Sequence, residues 1–178
     1  MNKGRAITRR NKERQILRCI PDALNYGSLL YIGASDKRQQ MLDLFIRNNY
    51  TYAILEIWRS NVKYLESRFK NVIEGDVRNV DKLGLGLFDI VMWWHGPEHV
   101  RENEIAPILD KLKLITKKIL IIACPWGIYE QDAVDGNPHE KHFSCLYPEF
   151  FENLGWQTNA IGVKDTLNNN LMAWKKNG

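Results

Sequence analysis

Histidines that directly follow an apolar run are the most conspicuous chemical groups in the sequence. The run FDIVMWW (residues 88–94) is followed by HGPEH (residues 95–99). In an open α/β sheet, the residues just beyond the carboxyl ends of the strands line the ligand site. A neutral imidazole there can accept a proton from an attacking hydroxyl or amine, so His95 is a candidate general base. Equal weight goes to the alternative that His95 only caps the turn begun by Pro97, and for His99 this structural interpretation is favoured.

A further histidine lies in the long irregular stretch 125–144. A stretch of this length inside a compact domain is usually functional or disordered. The residues DGNP at 135–138 favour a tight turn, and HFS at 142–144 would bring the chain back over the pocket. We therefore expect a lid, and His142 joins His95 as a second predicted catalytic residue on the substrate side.

The same stretch contains acids and histidines that suggest a metal site together with His95 and His99. However, His139 and His142 are three residues apart. They lack the helical i,i+4 spacing that makes two histidines converge on one ion. The sequence is therefore predicted to bind no metal ion.

Three positions with ligand-binding potential also follow apolar runs. The run LLYI ends at Gly33, a residue type that adopts backbone angles closed to others and lets a ligand approach the main chain. The run TYAIL ends in Glu56, and a third short run ends in Gly75-Asp76. A carboxylate can accept two hydrogen bonds from a ribose diol, which neutral side chains do less well. Each feature alone is weak evidence, but the three in order strengthen one another.

Strands and helices that alternate along the chain must hold these positions. Strands are predicted at 28–32, 51–57, 71–74, 88–94 and 118–124, with a closing pair at 156–163 and 170–175. Helices are predicted at 12–20, 37–47, 60–69, from Pro107 to about residue 116, and at 148–154. Ser35 or Asp36 is expected to cap the second helix. Such alternation implies an α/β fold, in which a parallel sheet carries helices on both faces.

Over residues 28–175 these motifs resemble the class I S-adenosylmethionine-dependent methyltransferases. In that family the strand–glycine turn contacts the methionine part of the cofactor. The acid ending the second strand holds the ribose hydroxyls, and the acid after the third strand contacts the adenine. The resemblance implies a doubly wound, mostly parallel seven-stranded Rossmann-like sheet with an antiparallel C-terminal strand. It also implies S-adenosylmethionine as cofactor, bound by Gly33, Ala34, Ser35, Glu56, Ile57, Asp76, Val77 and Trp93.

The leading hypothesis is therefore a methyltransferase that acts on an unidentified acceptor. The alternative is a catalytically inactive module of the same fold that binds nucleic acid or a protein partner through a basic N-terminal arm. Tyr31, Ser35 and Lys37, which stand where the family usually has an acid and two glycines, favour this alternative. The intact acids Glu56 and Asp76 oppose it. A dehydrogenase is disfavoured because the sequence has no GxGxxG motif.

The positive charge of the chain is concentrated at its N-terminus. Residues 1–18 contain seven lysines and arginines and one glutamate, a net charge of +6, so the remainder of the +4 chain carries −2. We expect residues 1–20 to be a basic, partly helical extension, mobile over residues 1–12, and residues 21–178 to be a single domain. Residues 1–18 could contact a polyanion, although a solvated extension is favoured because no aromatic residues are interleaved with the basic ones.

The remaining composition is typical of a globular protein. The apolar runs are too short to cross a bilayer, and the basic N-terminus has no apolar segment behind it, so we expect a cytoplasmic protein with no membrane partner. The three cysteines, Cys19, Cys124 and Cys145, are interpreted as buried thiols. The oligomeric state is left open.

Overall fold

The central feature of the molecule is a mixed β-sheet. The computed structural model describes residues 7–36 and 38–177. Within these residues seven strands form one sheet in the order β3-β2-β1-β4-β5-β7-β6. The strands are β1 (Ser28–Ile32), β2 (Thr51–Glu56), β3 (Val72–Glu74), β4 (Phe88–Trp94), β5 (Thr116–Cys124), β6 (Gln157–Gly162) and β7 (Asn169–Lys176). The first five run parallel, and β7 is antiparallel to both β5 and β6.

Helices cover both faces of this sheet. They are α1 (Arg9–Cys19), α2 (Gln40–Ile46), α3 (Arg59–Glu66), α4 (Glu102–Leu114) and α5 (Pro148–Glu152). Alternate strand residues point to opposite faces. Tyr31 therefore packs with Ile16 of α1 and Phe45 of α2, whereas its neighbour Leu30 packs with Leu109 of α4 in a second core. The predicted α/β fold with a mostly parallel sheet and an antiparallel end is confirmed.

The order of the strands places a binding crevice between β1 and β4. The chain moves outward from β1 to β2 and β3, then returns to add β4 on the other side. At such a reversal the connections leave in opposite directions and open a crevice at the carboxyl ends of the strands. Gly33 follows β1 and His95 follows β4, so the two predicted landmarks meet there.

Two helix starts differ from the sequence prediction. Helix α2 begins at Gln40, after an irregular segment, and no side chain caps it, so the predicted cap from Ser35 or Asp36 is wrong. Helix α4 begins at Glu102, where the Glu104 carboxylate accepts the Arg101 backbone N–H. Its first turn therefore precedes Pro107, which was expected to begin the helix.

The N-terminal segment is more ordered than predicted. Helix α1 already begins at Arg9, because Thr8 and Asn11 cap it reciprocally. The predicted mobility is therefore wrong for residues 9–12, whereas residues 1–6 lie outside the described residues. Ile16 is fully buried in the core of the sheet. The division at residue 20 into an extension and a single domain stays a prediction.

Two smaller findings concern cysteines and membranes. Cys124 is buried and Cys19 is half-buried, but Cys145 is exposed, so the prediction of three buried thiols is wrong. Cys145 lies in the segment that leads into α5, between the buried residues Ser144 and Leu146. Among the described residues, no helix combines the length and apolar character needed to cross a bilayer.

Candidate active site

Two adjoining cavities open at the carboxyl ends of the strands. The first cavity has about 650 Å³ of empty space, and the second has about 800 Å³. Part of each volume is open to solvent. The first cavity is lined by Gly33, Ser35, Glu56, Ile57, Asp76, Val77 and Trp93, among others. The second is lined by Lys12, Trp94, Glu98, Tyr129, Gln131 and His142, among others. His95 and Arg38 line both cavities.

The predicted site residues thus separate into two groups. Seven of the eight predicted cofactor-binding residues line the first cavity, and the predicted catalytic residue His142 lines the second. His95 lies where the two cavities meet. The exception is Ala34, whose side chain is fully buried in the core rather than lining the cavity.

Backbone geometry shapes the floor of the first cavity. Gly33 has φ of +86°, a left-handed conformation that other residues adopt only with strain, and its N–H donates to Leu55 O at 3.0 Å. A Cβ on Gly96 would collide with the indole of Trp93, so only glycine fits beside that ring. His95 itself has φ of +53°, an uncommon backbone conformation of the kind often found at functional sites.

Glu56 is a nearly buried carboxylate in the wall of the first cavity. It is 6% exposed. Its Oε1 accepts the Trp58 backbone N–H at 2.9 Å and the Asn61 side-chain N–H at 3.2 Å. Burial raises the pKa of Glu56 to about 7, although these two hydrogen bonds oppose the shift. A carboxylate in this state has a strong demand for further hydrogen-bond donors.

Asp76 is held by a neighbouring arginine. Its Oδ1 accepts the backbone N–H of Arg78, and the Arg78 guanidinium pairs with Oδ2 at 2.7 Å. Burial would raise the pKa of Asp76, but the hydrogen bonds from Arg78 outweigh it and lower the pKa below its usual range. Asp76 therefore stays ionised, and it brings Arg78 to the cavity wall as a second polar group.

His95 lies between an acid and a base. Its Nδ1–H donates to Glu98 Oε1 at 3.3 Å, and its Nε2 accepts from Lys12 Nζ at 2.7 Å. Burial, followed by the charge of Lys12, lowers the pKa of His95 to about 4. Burial also lowers the pKa of Lys12 to about 8. At neutral pH the imidazole is therefore uncharged and its Nε2 faces an ammonium group, which lies in the second cavity.

Arg38 ties the long loop to the site. Its Nη2 pairs with Glu140 Oε2 at 2.6 Å, and its Nη1–H donates to His99 Nε2 at 3.2 Å. Glu140 belongs to the loop 125–144, and His99 follows β4. The arginine therefore draws the loop against the mouths of both cavities. The expectation that this loop acts as a lid stays a prediction.

His142 is oriented by the same loop. Its Nδ1–H donates to the carbonyl of Tyr129 at 2.6 Å, which leaves the Nε2 lone pair available. The ring lies in edge contact with that of His99, with 4.9 Å between the ring centroids. Burial lowers the pKa of His142, so the ring is neutral at pH 7 and can act as a proton acceptor or a ligand.

Comparison with known proteins bears on the fold of this site. No protein-family model matches the sequence, and no curated protein matches it significantly. Solved structures do match. A SAM-dependent methyltransferase from Archaeoglobus fulgidus is 18% identical, with a TM-score of 0.63 over 94% of this chain and 95% of the other. Magnesium protoporphyrin IX methyltransferase from Synechocystis PCC 6803 with bound SAH is 10% identical, with a TM-score of 0.65 over 96% and 83%.

A third solved structure is also similar to this chain over most of its length. An S-adenosylmethionine-dependent methyltransferase from Clostridium acetobutylicum ATCC 824 is 10% identical, with a TM-score of 0.66 over 93% of this chain and 90% of the other. The chain has the class I methyltransferase fold. The fold expected from the sequence resemblance is thereby confirmed.

Four residues of this methyltransferase-fold site escaped the sequence reasoning. Lys12 comes from α1, Arg38 from the irregular segment before α2, Arg78 from the turn after β3, and Glu98 from the turn after β4. Arg78 and Glu98 had a usable signal, because each lies in the turn that follows a predicted strand. Lys12 and Arg38 had none, since only the packing of their segments brings them to the cavities.

Proposed function

We propose that the protein transfers a methyl group from S-adenosylmethionine, bound in the first cavity, to an acceptor bound in the second. One observation carries this proposal. The two acids singled out at strand ends, Glu56 and Asp76, line the same cavity, and that cavity meets a second one at His95. A methyl donor and an acceptor need such adjoining compartments because the transfer is a direct displacement that depends on positioning.

The residues of the first cavity fit this cofactor chemically. Glu56 would accept hydrogen bonds from the ribose hydroxyls, which would supply the donors that its buried carboxylate demands. Asp76 and Arg78 offer an acceptor and a donor to the edge of the adenine. Ile57 and Val77 add apolar surface to the wall. S-adenosylmethionine supplies a methyl group activated on a sulfonium sulfur.

Residues around the second cavity would handle the acceptor and its proton. As the new bond to the methyl carbon forms and the bond from that carbon to sulfur breaks, the acceptor's proton would pass to Nε2 of His95. Lys12 occupies that nitrogen and would have to withdraw when the acceptor binds. Glu98 accepts from Nδ1–H and would stabilise the imidazolium that results. His142 would position the acceptor from the loop 125–144.

The alternative of a nucleic-acid-binding module draws no support from the arrangement of α1. Three of its cations, Arg10, Arg14 and Arg18, are exposed, but two others are engaged within the molecule. Arg9 pairs with Glu13 and Asp43, and Lys12 donates to His95. Polyanion contact through residues 1–18 stays a prediction.

Calorimetric titration with S-adenosylmethionine and S-adenosylhomocysteine tests the proposal. We expect Glu56→Ala to weaken binding by about 10- to 150-fold, because each hydrogen bond to a charged group is worth about 1.5–3 kcal/mol. Glu74→Ala is the matched control, since Glu74 ends β3 but pairs with Arg59 on the surface. Binding that is absent in the folded wild type, or equally weakened by both variants, would overturn the proposal.

A further inference from the structure

Two histidine side chains are oriented so that the Nε2 lone pair of each could coordinate an electron-pair acceptor such as a metal ion. His99 Nδ1–H donates to the carbonyl of Lys141 at 3.2 Å, and His142 Nδ1–H donates to the carbonyl of Tyr129 at 2.6 Å. A backbone carbonyl can only accept, so both rings are fixed in the tautomer with the lone pair on Nε2. Metal-binding histidines typically donate their other ring N–H to a carbonyl or carboxylate in this way.

A buried carboxylate completes the group. Glu98 is 3% exposed, and its Oε2 has no hydrogen-bond partner within residues 7–36 and 38–177. An unpaired carboxylate oxygen in the interior is costly unless a cation or a donor reaches it. His99 Nε2 lies 3.9 Å from Glu98 Oε1. One ligand atom from each of Glu98, His99 and His142 lies within 4.8 Å of the others.

We infer that Glu98, His99 and His142 form a binding site for a divalent first-row transition-metal ion. Two imidazoles and one carboxylate are a donor set used for zinc and for non-haem iron. Ligand atoms about 2.1 Å from a shared ion lie about 3–4 Å apart, so a small inward movement of these side chains completes the site. Glu98 and His99 are neighbours in the turn after β4, whereas His142 lies in the loop 125–144. The spacing of His139 and His142 in the sequence therefore gave no indication of this site.

Arg38 would compete with the ion. Its Nη1–H donates to the same Nε2 of His99 that the ion would occupy, and its charge opposes a second cation. The arginine has another partner to retain, because its Nη2 pairs with Glu140. Binding of the ion would therefore release the Arg38–His99 contact and keep the Arg38–Glu140 pair, so removal of Arg38 should favour the ion.

The position of the site indicates the role of the ion, and this role rests on the proposed function. Glu98 and His142 line the second cavity, where the acceptor is proposed to bind. A metal ion lowers the pKa of a hydroxyl that coordinates it. The site would therefore select acceptors with a hydroxyl group, and His95, which contacts Glu98, would lie beside that hydroxyl to take its proton.

Titration with Co²⁺ and Zn²⁺ tests the inference without any acceptor. The protein, with no histidine tag and stripped of metal by a chelator, is titrated with Co²⁺ by visible absorption and with Zn²⁺ by calorimetry. We expect one ion per chain. His99→Ala and His142→Ala should each weaken binding by at least about 100-fold, since even the loss of a residue that supports a ligand costs about 10- to 100-fold. Arg38→Met should strengthen it.

His139→Ala is the matched control, because His139 belongs to the same loop but not to the cluster. Absence of Co²⁺ binding by the wild type, or equal binding by the His99→Ala, His142→Ala and His139→Ala variants, would overturn the inference. Thermal unfolding of the metal-free variants shows whether they fold. S-adenosylhomocysteine binding, measured on the same samples without metal, separates failure of the metal site from failure of the proposed function.

Discussion

The two cavities are built in different ways. The first is formed largely by residues at the ends of β1, β2 and β3, which the sequence pattern places at one edge of the sheet. The second is formed by segments far apart in the chain: α1, the turn after β4 and the loop 125–144. The first is therefore a property of the fold, whereas the second depends on how additional segments pack on that fold.

On the proposed function, the strand ends would hold the cofactor and the added segments would hold the acceptor. An acceptor differs between enzymes, so its cavity is built from segments that can vary without disturbing the sheet. In this chain α1 is such a segment, because it carries Lys12 to His95 and buries Ile16 in the core.

The largest expected effect is the loss of stability when the core contact of α1 is removed. Ile16→Ala should lower the free energy of unfolding by about 2–5 kcal/mol, because it removes a fully buried side chain from the core. Leu17→Ala, one residue further and partly exposed, should change it by less than about 0.5 kcal/mol. Urea unfolding measures both. Equal, small effects would mean that α1 is a loosely attached arm and does not form part of the second cavity.

Glycine substitutions test whether the turn after β1 forms part of the first cavity. Gly33→Ala should destabilise the protein by about 1–2 kcal/mol, because a left-handed conformation is strained for alanine. Gly84, with φ of +63° and open space around it, serves as the control. Both variants should lose similar stability, but only Gly33→Ala should also weaken S-adenosylhomocysteine binding. Unchanged binding by Gly33→Ala would remove the turn after β1 from the cofactor site.

The same contrast explains what the sequence could predict. Glu56 and Asp76 were recognisable because each follows a short apolar strand, and parallel strands bring their carboxyl ends together. Lys12 and Arg38 were not, because their positions depend on the docking of α1 and on the irregular segment before α2. The helix predicted from residue 37 hid that segment, since Arg38 and Gln39 are good helix formers by residue type although the observed helix begins only at Gln40.

A smaller expected effect is the pH dependence of ligand affinity at the first cavity. Burial raises the pKa of Glu56 to about 7, so the carboxylate becomes protonated as the pH falls below that value. A protonated carboxyl accepts ribose hydrogen bonds less well. The affinity for S-adenosylhomocysteine should therefore decrease by up to about tenfold per pH unit below 7 and level off above it. Calorimetry on Glu56→Gln should give a nearly flat profile over the same range. A slope retained in that variant would assign the titration to another group.

Hydrogen exchange followed by mass spectrometry, with and without S-adenosylhomocysteine, locates the bound cofactor along the chain. If the strand ends hold the cofactor and the added segments hold the acceptor, exchange should slow over residues 56–62 and 75–80, which border the first cavity, with little change in residues 9–19 of α1. Slower exchange confined to α1 and residues 125–134 would place the cofactor in the second cavity and contradict the proposed division of the site.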